Sequence, residues 1–131
     1  MSLLLDLVSY IVASGICEGD GVDCFRDFTP ESPNNVTVFN EYSGDGLSPF
    51  TSSVHRSVQV LVRASDAESA RAKAVQVCEA FITDREDRRI DFSESSWGQV
   101  YVRQPPFRLS QDESDRVTYC FNLGITTNNL E

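Results

Sequence analysis

The sequence predicts an α+β domain: a mainly antiparallel β-sheet with two helices packed on one face, in the order αβββαβββ. Three patterns carry that expectation. Leu4, Leu7, Val8, Ile11 and Val12 recur at the spacing of one helical face. Val58, Val60, Val62 and Ala64 alternate with Ser57, Gln59, Leu61 and Arg63, and Val117, Tyr119, Phe121, Leu123 and Ile125 alternate in the same way, which is the period of a strand burying one side. Between these strands Ala67, Ala70, Ala74, Val77, Cys78 and Phe81 form a second helical stripe, whose small residues let a helix lie close to a sheet.

Taken in order, the first helix ends at Gly15, a natural C-terminal stop. Gly19-Asp20-Gly21 turns the chain into a short strand over Val22 to Phe28, and Thr29 to Asn34, with two prolines, breaks it. Asn35 to Tyr42 alternates and reads as strand two. Ser43 to Ser53, rich in glycine and serine, reads as an exposed mobile loop. Ser57 to Ala64 is strand three. Ser65-Asp66-Ala67-Glu68 fits a capping box with Ser65 as the cap of the second helix. Thr83 to Arg89 is a charged connection. Trp97 to Gln104 forms the next strand, Pro105-Pro106 interrupts it, and Phe107 to Leu109 forms another. Gln111 to Asp115 is a hairpin turn into the long last strand.

The 131 residues form one domain, 1–131, with 40% hydrophobic and 24% charged residues and a net charge of −9. The acidity is uneven: residues 1–54 carry eight acids against Arg26 alone. No basic stripe is available to neutralise phosphates, so neither nucleic acid nor an anionic membrane is an expected partner. The apolar start, Met1 to Ile16, lacks a basic lead and is broken by Asp6, unlike a signal peptide. No apolar run is long enough to span a bilayer.

No motif predicts a cofactor or a metal. Cys17, Cys24, Cys78 and Cys120 form no CxxC pair and have only His55 as a possible nitrogen partner, so packed free thiols are expected. Cys17 and Cys24 could still approach each other around the glycine-rich turn. The clustered acids Asp84, Glu86 and Asp87, and Asp112, Glu113 and Asp115, fit no calcium loop. Two other readings make definite demands. A hydrolase would need His55 within hydrogen-bond reach of a cysteine, and a small-ligand module would need a closed apolar pocket.

The segments Pro30-Glu31-Ser32-Pro33-Asn34-Asn35-Val36, Glu41-Tyr42-Ser43-Gly44 and Arg56 to Ala64 continue downstream into Asp66 with Ala70-Arg71-Ala72-Lys73-Ala74. Pro106-Phe107-Arg108-Leu109, Asp112-Glu113 and Val117 to Asn122 complete the series. In order and spacing this resembles the minor capsid or tail-terminator proteins of tailed bacteriophages and prophages. The resemblance implies a non-enzymatic virion protein of the head–tail neck, assembled in the bacterial host cytoplasm. It would be a homo-oligomeric ring, a hexamer, that caps the tail tube protein and offers a surface to the head-completion protein. A head-completion or stopper adaptor is the neighbouring alternative.

In such a ring one subunit needs two different complementary faces. The expected contacts are the loop residues Ser43, Gly44, Asp45, Gly46, Leu47, Pro49 and Phe50, together with Arg56 and Arg63, whose guanidinium forks suit carboxylates such as Glu41 within or across subunits. Asp20, Asp23 and Asp27 are expected to face the channel, where carboxylates would repel passing DNA phosphates.

Overall fold

The computed structural model describes residues 2–42, 53–82 and 87–128. Helix α1 (Leu3–Ala13) starts at Ser2, whose hydroxyl accepts from the Leu5 N–H at 3.1 Å. It ends as the sequence requires. Gly15, at φ +79°, lets its own N–H reach Val12 and the Ile16 N–H reach Ile11, so two orphan carbonyls are satisfied. Leu3, Leu4, Leu7, Val8 and Ile11 are buried.

Strands β1 (Cys24–Arg26), β2 (Val36–Tyr42), β3 (Val54–Ala64), β4 (Arg89–Asp91), β5 (Trp97–Gln111) and β6 (Val117–Thr127) form one sheet in the order β1-β2-β3-β6-β5-β4. Among the pairings of these six strands only β1–β2 is parallel. Helix α2 (Ala67–Ala80) lies between β3 and β4 in sequence. The element order and the α+β class therefore match expectation. Both helices cover the same face, because a single core joins Leu7 and Ile11 of α1, Ala74 and Val77 of α2, and Phe39, Val58, Val60, Phe121 and Leu123 of the sheet. Phe81 sits at the junction, against Tyr10 and Phe39, and the Tyr10 hydroxyl donates to the Ala80 carbonyl at 2.7 Å. The aromatic triplet and this hydrogen bond tie the two helices together.

Three elements differ from expectation. The cap of α2 is Asp66, one residue beyond Ser65: its carboxylate accepts from the Ser69 N–H at 2.8 Å and the Ser69 hydroxyl at 3.0 Å. Asp66 wins because a carboxylate two bonds from the backbone reaches the N3 amide as well as a serine does and adds charge at the positive helix end. Strand β4 begins at Arg89, the last residue of the expected charged connection, and continues where no element was expected. Arg89 and Asp91 flank a single buried residue, Ile90, so there is too little alternation to read. Finally, Pro105-Pro106 does not divide two strands. Both lie inside β5, at a point where its pairing with β6 shifts register between Gln104 and Phe107. A β-bulge absorbs the missing N–H donors, and β4 pairs only with Trp97–Gln99, so among the described residues the prolines lie on an outer strand.

The hairpin turn before β6 follows expectation. Asp115 takes a positive φ of 63° without a glycine, and the Asp112 carboxylate accepts from the Ser114 and Arg116 N–H groups. Among the described residues no helix is long and apolar enough to cross a membrane.

The two possible caps of α2 are separable by mutation. Asp66→Ala is expected to lower the melting temperature, whereas Ser65→Ala leaves it close to wild type. The Ser69 backbone N–H, then its hydroxyl, hold the Asp66 carboxyl below its ordinary pKa. The cap contribution is thus complete above the unfolded value of about 3.9 and disappears as pH falls through the lower folded value. Thermal melts from pH 7 to pH 2 should show the gap between wild type and Asp66→Ala closing only under acid.

Candidate functional site

The sheet register assigns every strand residue to a face. Val58, Val60 and Val62 point to the helices, and His55, Ser57, Gln59, Leu61 and Arg63 point the other way, to a face that carries no helix among the described residues. On that face Asn40 pairs with Gln59, Gln59 with Asn122, and Asn122 with Gln104. Four side-chain amides thus stand in a row across β2, β3, β6 and β5, and the Asn122 amide donates to Gln104 Oε1 at 2.7 Å. Each amide offers both donors and acceptors, so the row presents a polar, uncharged strip that can pair with backbone or side chains of another surface. Tyr42 and Tyr101 stand nearby, both more than two-fifths exposed.

The other half of this face is covered by the chain between β1 and β2, and two buried arginines hold it there. Arg63 donates to the carbonyls of Asn34 at 3.1 Å, Pro33 at 2.7 Å and Glu31 at 3.3 Å. Arg116 donates to the Glu31 carbonyl as well and pairs with Asp112 at 2.7 Å. Burial, and then the charge of Arg116, lower the pKa of Arg63. Burial would raise that of Asp112, but the N–H groups of Arg116 and Ser114 and the Arg116 guanidinium hold it below the ordinary range. Beneath this segment Phe25, Val36, Val38 and Leu61 make a small second core. Sequence reasoning missed Arg116 and Asp112. Arg116 directly precedes the last strand, and nothing in its neighbours marks it as buried.

The residues expected to make contacts divide into three groups. Ser43, Gly44, Asp45, Gly46, Leu47, Pro49 and Phe50 lie outside the described residues. Glu41 and Arg56 come together as a two-pronged ion pair within the chain, on the helix-bearing side of β2 and β3. Arg63 is only 7% exposed and is engaged with three backbone carbonyls of its own chain, so it cannot also fork a neighbouring subunit's carboxylate without giving them up. The acids Asp20, Asp23 and Asp27 flank β1, the strand at one end of the sheet order. Asp20 pairs with Arg26 at 3.1 Å, and Asp23 accepts from the N–H groups of Glu18 and Gly19 at 2.9–3.2 Å. Asp27 adopts a positive φ of 70°.

His55 bonds through Nδ1 to the Thr126 hydroxyl at 2.8 Å. The cysteine–histidine pairing weighed from the sequence does not form. Cys120 faces Leu61, six residues along β3 from His55 or roughly 20 Å. Cys24 pairs with Thr37 on β2, level with Val62, and Cys78 lies in the core on the opposite face. A cavity of about 290 Å³ lies beside the arginine clamp, but its walls include Asp23, Asn35, Thr37, Arg63, Ser69 and Lys73. Such polar walls are not those of an apolar ligand pocket. Among the described residues no group of three or more histidine, cysteine or acidic side chains could hold a metal ion.

A family model described as bacteriophage tail terminator protein matches residues 10–129. No curated protein matches the chain.

Arg63 and Arg56 are expected to behave differently when truncated. Arg63→Ala leaves the Asn34 and Pro33 carbonyls without their donor and the Glu31 carbonyl with Arg116 alone, and should cost about 2–3 kcal/mol in urea unfolding. Arg56→Ala removes a partly exposed pair and should cost at most about 1 kcal/mol. Equal losses would contradict the division between an internal clamp and a surface pair.

Proposed function

The chain belongs to the bacteriophage tail terminator family, and from that premise we propose that it closes the tail tube as a homo-oligomeric ring and provides the surface to which the head joins. It is a structural, tail-related phage protein. The family match over residues 10–129 is the observation that carries this reading. The ring state, its hexameric count, the tail tube and head-completion proteins as partners, and assembly in the host cytoplasm are the finer parts of the proposal.

The geometry supports a role exercised through surfaces. A ring built head to tail needs two unlike faces on each subunit. This subunit has one face closed by helices and another whose amide row, with Tyr42 and Tyr101, is polar and partly exposed. In this reading the amide row and the Glu41–Arg56 end of the sheet meet the neighbouring subunit and the tube. Residues Ser43 to Ser53, expected from the sequence to make such contacts, are in the same reading required for capping. The acids of the β1 edge, Asp20, Asp23 and Asp27, line the channel and repel the phosphates of DNA passing through it.

Two measurements test the proposal. Light scattering coupled to size exclusion, with negative-stain imaging, should find closed rings of the isolated chain or of the chain mixed with tail tubes. Deleting Gly46 to Ser52 should leave the thermal melt of the subunit near wild type while tails grow past their normal length. Tails of normal length from that variant would remove the loop from the capping contact, and absence of the protein from tube ends would overturn the terminator role.

A further inference from the structure

The two ends of the sheet carry unlike features. At the β1 end, Asp27 closes the strand at φ 70° while its N–H donates to the Phe39 carbonyl at 3.1 Å, and Phe28 follows that turn. The Phe28 ring rests edge-on against Phe25, with centroids 5.6 Å apart, yet it is 60% exposed, the most of any large apolar side chain among the described residues. Phe25 is itself held in the small second core with Val36 and Val38, so the projecting side chain stands on a packed support. The charge around it is one-sided. Residues 18–31 hold Glu18, Asp20, Asp23, Asp27 and Glu31 against Arg26 alone.

At the other end, a groove of about 220 Å³ lies between the end of α2 and β5. Phe81 and Val100, each 1% exposed, are its deepest walls, with Val102 beside them and Ile82, 51% exposed, at the rim. Arg88 and Tyr101 complete the lining. A cavity of about 150 Å³ is enough to admit benzene, so this groove has room for one phenyl side chain. Charge here has the opposite sign: residues 88–111 hold Arg88, Arg89, Arg103 and Arg108 against Asp91 and Glu94.

We propose that Phe28 of one copy seats in the groove of Phe81, Ile82, Val100 and Val102 on the next copy, as the anchor of the head-to-tail contact. This inference rests on the ring reading and names the surfaces that close it. A second copy is the occupant that the charges select: the acidic β1 end of one chain meets the arginine-bearing β5 end of its neighbour, whereas two β1 ends would bring like charges together. The carboxylates need not touch the neighbour, since charges act on one another over about 8–10 Å at ordinary ionic strength. Asp20, Asp23 and Asp27 can therefore steer the contact from the channel side. A pre-positioned aromatic side chain in an apolar pocket is the type of residue that dominates an interface. Because the two features are unlike and lie at opposite ends of one sheet, each contact leaves one Phe28 and one groove unfilled, and the series is completed only by closing on itself.

The test compares Phe28→Asp, Ile82→Asp and wild type as full chains, alone and with tail tubes, by light scattering coupled to size exclusion and by negative-stain imaging. Both positions are more than half exposed, so each variant should melt near wild type. Each alone should lose the closed ring, its apparent dissociation constant raised at least about 30-fold. Mixed in equal amounts, the two retain one intact groove, on Phe28→Asp, and one intact Phe28, on Ile82→Asp, and should form a heterodimer that grows no further. Rings that persist in either variant, or a mixture that stays monomeric or still closes, would overturn this contact while wild-type rings keep the ring reading standing. Wild type that forms no ring even on tail tubes would overturn the ring reading itself, and this contact with it.

Discussion

The unbroken register of β3 against β6, from Val54 opposite Thr127 to Ala64 opposite Val117, is the constraint on which the other features rest. It sets Val58, Val60 and Val62 against the helices and turns Gln59, Leu61 and Arg63 to the other side. A slip of one residue would put Arg63 into the main core and Val62 into solvent, so burial of one face strongly specifies the pairing. Strand β2 extends the same register on the other side of β3. From it follow both the amide row and the reach of Arg63 and Arg116 toward the carbonyls of residues 31–34.

The two sides of the sheet are held by different physics. On the helix side, apolar burial around Phe39, Phe81 and Phe121 dominates, and few directional bonds are needed. On the other side, a small apolar cluster around Phe25 and Leu61 is closed by charged groups that bond to backbone carbonyls. A carbonyl is a demanding partner for an arginine fork, because its position is set by the chain and not by a movable side chain. The β1–β2 connection is therefore fixed in place by groups from β3 and β6, strands distant from it in sequence.

Much of this was legible in the sequence. The alternation of Val58 to Ala64 and of Val117 to Ile125, the stripe on α1 and the alanines of α2 each state a period that local sterics enforce, and each became the expected element. What escaped was set by partners far along the chain. Strand β4 exists because Ile90 has β5 to lie against, and three residues are too few to show a period. Pro105-Pro106 is tolerated because a bulge places it outside the regular ladder, which depends on where β4 ends. Arg63 alternates to the open face as expected, but its burial comes from a loop thirty residues upstream in sequence. Of the candidate site, the Glu41–Arg56 pairing was visible as complementary charge, while the amide row was not, since asparagine and glutamine on scattered strands align only once the register is known.

The bulged prolines of β5 have a consequence for how this chain can meet others. Beyond Val100, whose N–H donates to the Arg88 carbonyl at 3.0 Å, β5 pairs with no further strand on its outer side among the described residues, which leaves a stretch of backbone ready to template another strand. Two consecutive residues there lack an N–H, and the bulge bends the strand away from a flat edge. A second chain trying to continue the sheet would lose its ladder at that point. Uncontrolled growth by strand addition is discouraged by the same dipeptide that looked, in sequence, like a break in the fold, and association is left to the side-chain surfaces, where the number of partners can be limited.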